Sequence, residues 1–297
     1  MIHRQLERRP RYADPGQSHR RQPSELAANL SHAIEHDELS LYYQPQYDIR
    51  GGHSCGVEAL ARWFRADGES VSPAVFINLA ERTGLITALG SWVLQEACAT
   101  VATWHRFGQK PPILCVNISP AQICEEFSTL LSRTLERTGF PASQLELEIT
   151  EGILIDDPEF ALQCLAHWKQ LGVRIAMDDF GTGYSSLSYL SRLPVDRLKV
   201  DKSLIHRMVS DRKTAAIVRA VISLGKDLGF IVLAEGVETE EQLAMLTDMG
   251  CQQVQGYLLA PPVCAIEARP LMARSRGARR LPKSAIARPA LVRSLAI

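Results

Sequence analysis

The segment FIVLAEG, residues 230–236, shows the pattern that decides the fold: an apolar run that ends in a carboxylate and a glycine. A run that stays apolar until its last residues is typical of a strand buried on both faces in a parallel sheet. Seven other β-rich stretches occur in the chain, and longer helical patterns separate them. The eight predicted strands are Leu39–Asp48, Ser54–Trp63, Pro112–Ser119, Leu145–Thr150, Arg174–Asp179, Arg197–Asp201, Phe230–Gly236 and Gln252–Leu258.

The segments between these strands contain the signals that begin and end helices. Ser72-Pro73 has the pattern of an N-cap followed by proline at the first helical position, and Gly84 ends that helix. Thr239 and Gln242 have the spacing of a capping box. Eight strands that alternate with helices in about 245 residues predict a (β/α)8 barrel, and an open doubly wound sheet is the alternative.

The charge of the 297-residue chain is unevenly distributed. Residues 1–22 contain six Arg and two acids, and they are predicted to be disordered or a linker. Residues 271–297 contain seven basic residues and no acid, which predicts a basic flexible tail. The predicted folded domain, residues 23–270, contains 20 basic and 31 acidic residues. This acidic balance argues against binding to a DNA or RNA polymer.

Cysteine spacing and hydropathy indicate the compartment. The seven cysteines are scattered and form no Cys-x-x-Cys pair, which predicts reduced thiols and not a disulfide framework. No apolar run approaches the roughly 18 residues of a membrane span. The basic N-terminus also lacks the apolar centre of a signal peptide. We therefore expect a cytoplasmic protein with no membrane span.

Polar residues cluster at or near the ends of the predicted strands, which a barrel would bring to one mouth. These residues are Glu58, Asn117, Glu148, Glu151, Asp178, Asp179, Lys199, Asp201, Glu235 and Gln255. Taken singly, each also fits an exposed strand face or a turn. Together, so many carboxylates require a neutralising cation, and oxygen ligands suit Mg²⁺ or Mn²⁺ better than Zn²⁺. Two such cations fit phosphoryl chemistry, in which Lys199 and Arg62 would add positive charge.

Eight short motifs follow one another along the chain. They are YQP (43–45), EALAR (58–62), NIS (117–119), EITE (148–151), DDFGTGYSSL (178–187), KVD (199–201), EGVE (235–238) and QGY (255–257). In this order they resemble the motifs of the EAL domain family, and the resemblance covers about residues 23–265. Glu-Ala-Leu alone would be weak evidence, whereas the ordered set is specific.

The resemblance implies a modified TIM barrel whose first strand runs antiparallel to the others. It implies a metal-dependent phosphodiesterase that hydrolyses cyclic di-GMP to linear pGpG, with two Mg²⁺ or Mn²⁺ ions per site and inhibition by Ca²⁺. It also implies a homodimer, in which the loop Phe180–Leu187 couples metal binding to dimerisation. The alternatives are a catalytically silent cyclic di-GMP receptor and a protein-interaction scaffold.

The resemblance also assigns a role to each site residue. The implied metal ligands are Glu58, Asn117, Glu148, Asp178, Asp179 and Glu235. Glu235 would place or deprotonate the attacking water, Lys199 would hold water or stabilise charge, and Asp201 would orient that lysine. The residues implied to contact the ligand are Gln44, Arg62 and Gln255, and those with supporting roles are Glu151 and Glu238.

Overall fold

A computed structural model describes residues 23–36, 38–65, 68–104, 111–154, 157–181, 190 and 192–272 of the chain. The side chains of Pro23, Ser24, Glu151 and Leu154 are outside this description. The predicted N-terminal segment, residues 1–22, and nearly all of the predicted tail also lie outside the described residues. The domain limits at both ends therefore stay predictions.

Eight strands close into a barrel, as the sequence predicts. They are β1 (Leu39–Asp48), β2 (Ser54–Phe64), β4 (Ile113–Ile118), β5 (Leu145–Thr150), β6 (Arg174–Phe180), β7 (Arg197–Val200), β8 (Ile231–Ala234) and β9 (Gln253–Val254). Two short strands, β3 (Ser70–Val71) and β10 (Val263–Cys264), pair with β2 and β1 respectively. The pairing of β1 with β2 closes the barrel and excludes the open-sheet alternative.

The first strand is reversed relative to the others. β1 pairs antiparallel with both β2 and β9, whereas the other neighbouring strands of the eight-stranded barrel pair in parallel. This confirms the expected modified barrel. The register sets Gln44 opposite Glu58 and Gln46 opposite Gly56 on the two antiparallel strands.

Helices surround the barrel and mostly follow the strands. They are α1 (Pro23–Glu35), α2 (Pro73–Thr83), α3 (Ile86–Ala102), α4 (Glu125–Thr138), α5 (Pro158–Gln170), α6 (Lys202–Arg207), α7 (Arg212–Asp227), α8 (Glu240–Asp248) and α9 (Ala265–Met272). Two helix ends follow the predicted signals: Gly84 ends α2 with φ 76°, and Thr239 and Gln242 form the capping box of α8. Asp211 also caps α7 by accepting from the amides of Lys213 and Thr214. No helix of the described chain is long and apolar enough to cross a membrane.

Alternation along the strands gives the barrel an apolar outer face and a polar interior. In β5, Leu145, Leu147 and Ile149 belong to the apolar core under the helices. The residues between them, Glu146 and Glu148, are also buried, and they meet basic residues of β7 inside the barrel. A strand with period-two side chains therefore serves both the packing core and the site.

The last barrel strand is shorter than predicted. The sequence pattern extends over Gln252–Leu258, but only Gln253 and Val254 form ladder pairs as β9. The amides of Leu259 and Ala260 both donate to the carbonyl oxygen of Gly256, which closes a turn directly after the strand. Gln255 nevertheless continues the strand direction, since its amide donates to the carbonyl oxygen of Ala234.

Candidate metal centre

The ammonium group of Lys199, on β7, lies at the centre of the predicted site and is fully buried. Its Nζ is 2.6 Å from Glu148 Oε2, 2.7 Å from Glu235 Oε1 and 3.0 Å from Asp178 Oδ2. Glu58 Oε1 is 4.0 Å away. Four carboxyl groups, carried by β2, β5, β6 and the residue after β8, therefore surround one positive charge inside the barrel.

This charge balance shifts the pKa values of the group. Burial favours the neutral amine of Lys199, but the charges of Asp178 and Glu148 outweigh it and raise its pKa well above the ordinary value. Burial raises the pKa of Glu148 well above its usual range and that of Glu235 to about 8, although Lys199 opposes both shifts. One ammonium cannot neutralise four carboxylates, so the site favours either bound protons or additional cations.

Glu58 is the carboxylate that amide groups hold most closely. Asn117 Nδ2 donates to Glu58 Oε1 at 2.7 Å, and Gln255 Nε2 donates to Oε2 at 2.5 Å. Burial raises the pKa of Glu58, but Lys199 and these two hydrogen bonds outweigh burial and bring it below its ordinary value. Gln255 Nε2 also donates to Gln44 Oε1 at 3.0 Å. Glu58 is therefore an ionised carboxylate with a fixed orientation.

The end of β6 carries two adjacent aspartates, and the second of them has a left-handed backbone. Asp179 has φ 54°, and the β6–β7 register shifts at this point. Left-handed backbone is unfavourable for most residues and is tolerated best, after glycine, by Asn and Asp. Burial and the nearby charges of Asp178 and Asp201 raise the pKa of Asp179. Asp178, Asp179 and Asp201 therefore form an acidic group at the mouth of the barrel.

The donor set fits a hard divalent cation. Glu148 Oε1 is buried and has no hydrogen-bond partner among the described residues, so one carboxylate oxygen inside the site is available as a ligand. Its surroundings offer carboxylate and amide oxygens, from Glu58, Asp178 and Asn117, which Mg²⁺ and Mn²⁺ prefer. The excess negative charge around Lys199 gives such a cation a favourable field.

A second set of metal-ligand atoms fits a cation less well. One atom each from Cys115, Glu146 and Glu148 lie within 4.8 Å of one another. However, Glu146 Oε1 is 3.0 Å from Arg197 Nη1, and the Cys115 thiol donates to both Gln46 and Glu146. Burial and the charge of Glu146 raise the pKa of Cys115 well above its ordinary value, which keeps the thiol protonated. A cation here would have to displace the buried guanidinium.

The structure brings most of the predicted site residues together, and a few lie apart. Arg62 lies on the same face of β2 as Glu58, roughly 13 Å further along the strand at the usual rise per residue. Its guanidinium stacks over Tyr42 at 5.6 Å, at the rim of the barrel. Glu238 is exposed, and its Oε1 atom lies 3.6 Å from His206 Nε2. The Glu151 side chain and residues 182–189 of the predicted loop fall outside the description.

Asp201 also has a different neighbourhood from the one the resemblance implies. Its carboxylate caps α6 by accepting from the amide of Ser203 at 2.8 Å, and it lies beside Asp179. The ion pairs of Lys199 found in the described chain are with other carboxylates. The role of Asp201 in orienting Lys199 stays a prediction.

Sequence reasoning missed a polar layer one step deeper in the barrel. Gln46, Glu146 and Arg197 are almost completely buried and contact one another, with Cys115 beside them. The missed signal was strand periodicity, because each of the three lies two residues from a site residue on its own strand. Side chains two apart in a strand point to the same face.

Comparison with known proteins shows to which family the chain belongs. The EAL domain family matches residues 27–262. An uncharacterised signalling protein of Caulobacter vibrioides is 46% identical over 243 residues, which are 82% of this chain and 30% of that protein. The bifunctional diguanylate cyclase/cyclic di-GMP phosphodiesterase MucR of Pseudomonas aeruginosa is 41% identical over 242 residues, 81% of this chain and 35% of that protein. The chain thus spans about a third of the length of these relatives.

A solved structure is similar over nearly its whole length. The PaMucR phosphodiesterase in complex with c-di-GMP is 40% identical and superimposes with a TM-score of 0.78. The match covers 82% of this chain and 99% of the solved chain. The barrel fold is therefore common to the two proteins.

Proposed function

The chain belongs to the EAL domain family, and on that premise we propose that it is a metal-dependent phosphodiesterase that hydrolyses cyclic di-GMP to linear pGpG. The observation that carries the proposal is the group of four carboxyl groups around the buried ammonium of Lys199. A catalytically silent receptor needs ligand contacts but has no need of so costly a cluster of charges.

The residues that would hold divalent cations are Glu58, Asn117, Glu148, Asp178, Asp179 and Glu235. When bound, Mg²⁺ or Mn²⁺ would neutralise phosphate oxygens and lower the pKa of water. The unpartnered oxygen of Glu148 and the exposed mouth residues Asn117 and Asp179 support this assignment.

The protein's own groups supply the proton transfer and the charge stabilisation. Glu235 accepts a proton from the water that attacks phosphorus, the bond from phosphorus to the ribose 3′ oxygen breaks, and that oxygen takes up a proton from solvent to become the 3′ hydroxyl of pGpG. Burial raises the pKa of the Glu235 carboxyl in the metal-free site, although Lys199 opposes the shift, and bound cations would favour the ionised form that accepts a proton. Lys199 Nζ, held by its carboxylate partners, donates to the phosphate oxygen on which negative charge develops.

The substrate contacts extend from the site to the rim. Gln44 and Gln255 lie beside Glu58 inside the barrel, and Arg62 lies at the end of β2. This spacing suits a ligand as large as a cyclic dinucleotide, with one phosphodiester at the metal site and other groups near the arginine. A homodimer and a cytoplasmic location belong to the same proposal.

The test is a product assay. The chain is incubated with cyclic di-GMP and Mg²⁺, Mn²⁺ or Ca²⁺, and nucleotides are separated by ion exchange. We expect pGpG with Mg²⁺ or Mn²⁺ and none with Ca²⁺, whose longer bonds and higher coordination number distort such a site. Glu58→Ala should abolish turnover, whereas Glu125→Ala, an exposed position at the start of α4, should not.

Two outcomes would overturn the proposal. Binding of cyclic di-GMP without pGpG under every metal condition would identify a silent receptor. The absence of ligand binding by the folded protein would favour a scaffold. Near-normal turnover of Glu58→Ala would contradict the metal assignment.

A further inference from the structure

The deeper polar layer of the barrel is not used by the chemistry proposed above. Arg197 on β7 and Glu146 on β5 are 0% and 1% exposed, and Arg197 Nη1 is 3.0 Å from Glu146 Oε1. An apolar filling of the same volume is often as stabilising as a buried ion pair, or more so. Two further guanidinium nitrogens, Nε and Nη2, have no hydrogen-bond partner among the described residues, so the layer is not optimised for stability.

Three hydrogen bonds connect Arg197 to Glu58. Arg197 Nη1 donates to Gln46 Oε1 at 2.6 Å, and Gln46 Nε2 donates to Gln255 Oε1 at 3.0 Å. Gln255 Nε2 then donates to Glu58 Oε2 at 2.5 Å. The chain therefore runs from the deeper layer to a carboxylate of the proposed metal site.

The direction of these bonds is determined at both ends. A guanidinium can only donate, so Gln46 must turn its oxygen towards Arg197 and its NH₂ group towards Gln255. An ionised carboxylate can only accept, so Gln255 must turn its NH₂ group towards Glu58. Both ends impose the same sense, and neither amide can flip without the loss of hydrogen bonds.

Gly56 provides the space that this arrangement needs. It lies opposite Gln46 in the β1–β2 register, and a Cβ atom at this position would be 2.8 Å from Gln46 Oε1. A larger residue would force the amide away from Arg197. The close approach thus depends on a glycine, which also leaves room for the carbonyl oxygen of Ile113, 3.2 Å from the same Cβ position.

We propose that Arg197 is a positioning residue for the metal site, which acts through Gln46 and Gln255 to hold Glu58 in its ligand orientation. Without the guanidinium, only the Cys115 thiol, at 3.5 Å, donates to the Gln46 oxygen, so the Gln46 amide that holds the Gln255 oxygen is fixed less firmly. Gln255 then orients the Glu58 carboxylate less precisely, and the ligand geometry of Glu58 is less well defined. The inference rests on the proposed function, since it takes Glu58 as a metal ligand.

Mn²⁺ binding to the nucleotide-free protein tests the proposal, with free Mn²⁺ followed by electron paramagnetic resonance. For Arg197→Met, a pure charge effect and a positioning effect predict opposite changes in Mn²⁺ affinity. Removal of a nearby positive charge should strengthen cation binding, whereas loss of orientation should weaken it. We expect weakening on the order of 10-fold, as for other groups that orient a metal ligand. Unchanged or tighter binding by the folded variant would overturn the proposal.

Two further variants separate positioning from general destabilisation. Gln46→Met interrupts the series of hydrogen bonds from Arg197 to Glu58 without a change of charge. We expect a loss of Mn²⁺ affinity similar to that of Arg197→Met. This variant also keeps the test valid if Arg197→Met does not fold. Glu146→Gln disturbs the same buried ion pair but leaves the hydrogen bonds from Arg197 to Glu58 intact, so its Mn²⁺ affinity should fall only by the small effect of one lost negative charge, well short of the loss in Arg197→Met. An equal loss in Glu146→Gln would refute the specific role of Arg197.

The unmodified protein distinguishes the two levels of the proposal. If it binds no Mn²⁺, the proposed metal-dependent function fails. If it binds Mn²⁺ and both chain-breaking variants bind equally well, only the positioning role fails. As a control, the unfolding transition of each variant is measured in a chelator. A cooperative transition shows that the variant is folded and that its Mn²⁺ affinity can be compared with that of the unmodified protein.

Discussion

Replacement of Lys199 by methionine tests how the site balances its charge. The ammonium lies within 3.0 Å of Glu148, Asp178 and Glu235, so its loss leaves three buried carboxyl groups without their cation. Removal of one partner from a buried ion pair typically costs about 3–5 kcal/mol. For a domain of this size, that corresponds to a fall in Tm of roughly 6–20 °C.

The Tm values of Lys199→Met and the unmodified protein are compared by thermal unfolding at pH 8 in the presence of a chelator. Glu148 and Glu235 can lower the cost by binding protons, because burial raises their folded pKa values above the unfolded ones. That contribution to stability is present at low pH and is lost as the pH rises through the folded pKa, which is about 8 for Glu235 while Lys199 is present and higher once this cation is removed. The deficit of Lys199→Met should therefore grow from pH 5 to pH 8.

Metal ions should reverse the effect. Mn²⁺ no longer competes with an ammonium in the variant, so saturating Mn²⁺ should raise its Tm more than that of the unmodified protein. Binding at 100 times the Kd adds about 2.7 kcal/mol to stability. Lys213→Met, at an exposed position in the first turn of α7, is the matched control. Equal Tm values for Lys199→Met and this control in the chelator would refute the charge argument.

Three other predictions follow from the site and the helices around it. Asn117→Leu should weaken Mn²⁺ binding by about 10–100-fold, because it removes an amide that holds Glu58; titration with free Mn²⁺ measures this, and an unaltered Kd would contradict the placement. Deletion of residues 273–297 should leave turnover unchanged, since the proposed site residues lie between positions 44 and 255; an inactive but folded truncation would show a role for the basic tail. Asp211→Ala should lower the free energy of unfolding by about 1 kcal/mol through loss of the α7 N-cap while turnover stays the same; urea denaturation checks the stability, and an unchanged midpoint would argue against the cap.

Strand existence and order were predictable because buried parallel strands have a strong local signature. Each predicted strand has a counterpart in the barrel, and β1 and β5 match to the residue. The end of the eighth strand was not predictable from hydropathy. It depends on the turn at Gly256, whose carbonyl oxygen accepts two amides from residues that are far more apolar than a usual turn.

The site was predictable at the strand ends and less so below them. Asp178 and Glu235 stand out because each directly follows an apolar run that marks a buried strand. Arg197 and Gln46 lack that signal, because a polar residue within a strand usually faces solvent. Only the closure of the barrel turns the same positions into a buried layer, and closure is a long-range property that no local window contains. The left-handed backbone of Asp179 is likewise visible only in three dimensions.

The reversed first strand also bears on how the molecule folds. In a barrel of parallel strands, neighbours are joined through a helix, so their contacts close long loops and form slowly. The antiparallel pair of β1 and β2 is instead a local hairpin, residues 39–64, whose loop of five residues closes at small entropic cost. We therefore expect Gln44 to contact Glu58 before most of the site residues on the other strands reach their folded positions. Mutations that weaken this hairpin, such as Val57→Ala, should slow folding more than they speed unfolding, whereas Val232→Ala on β8 should chiefly speed unfolding.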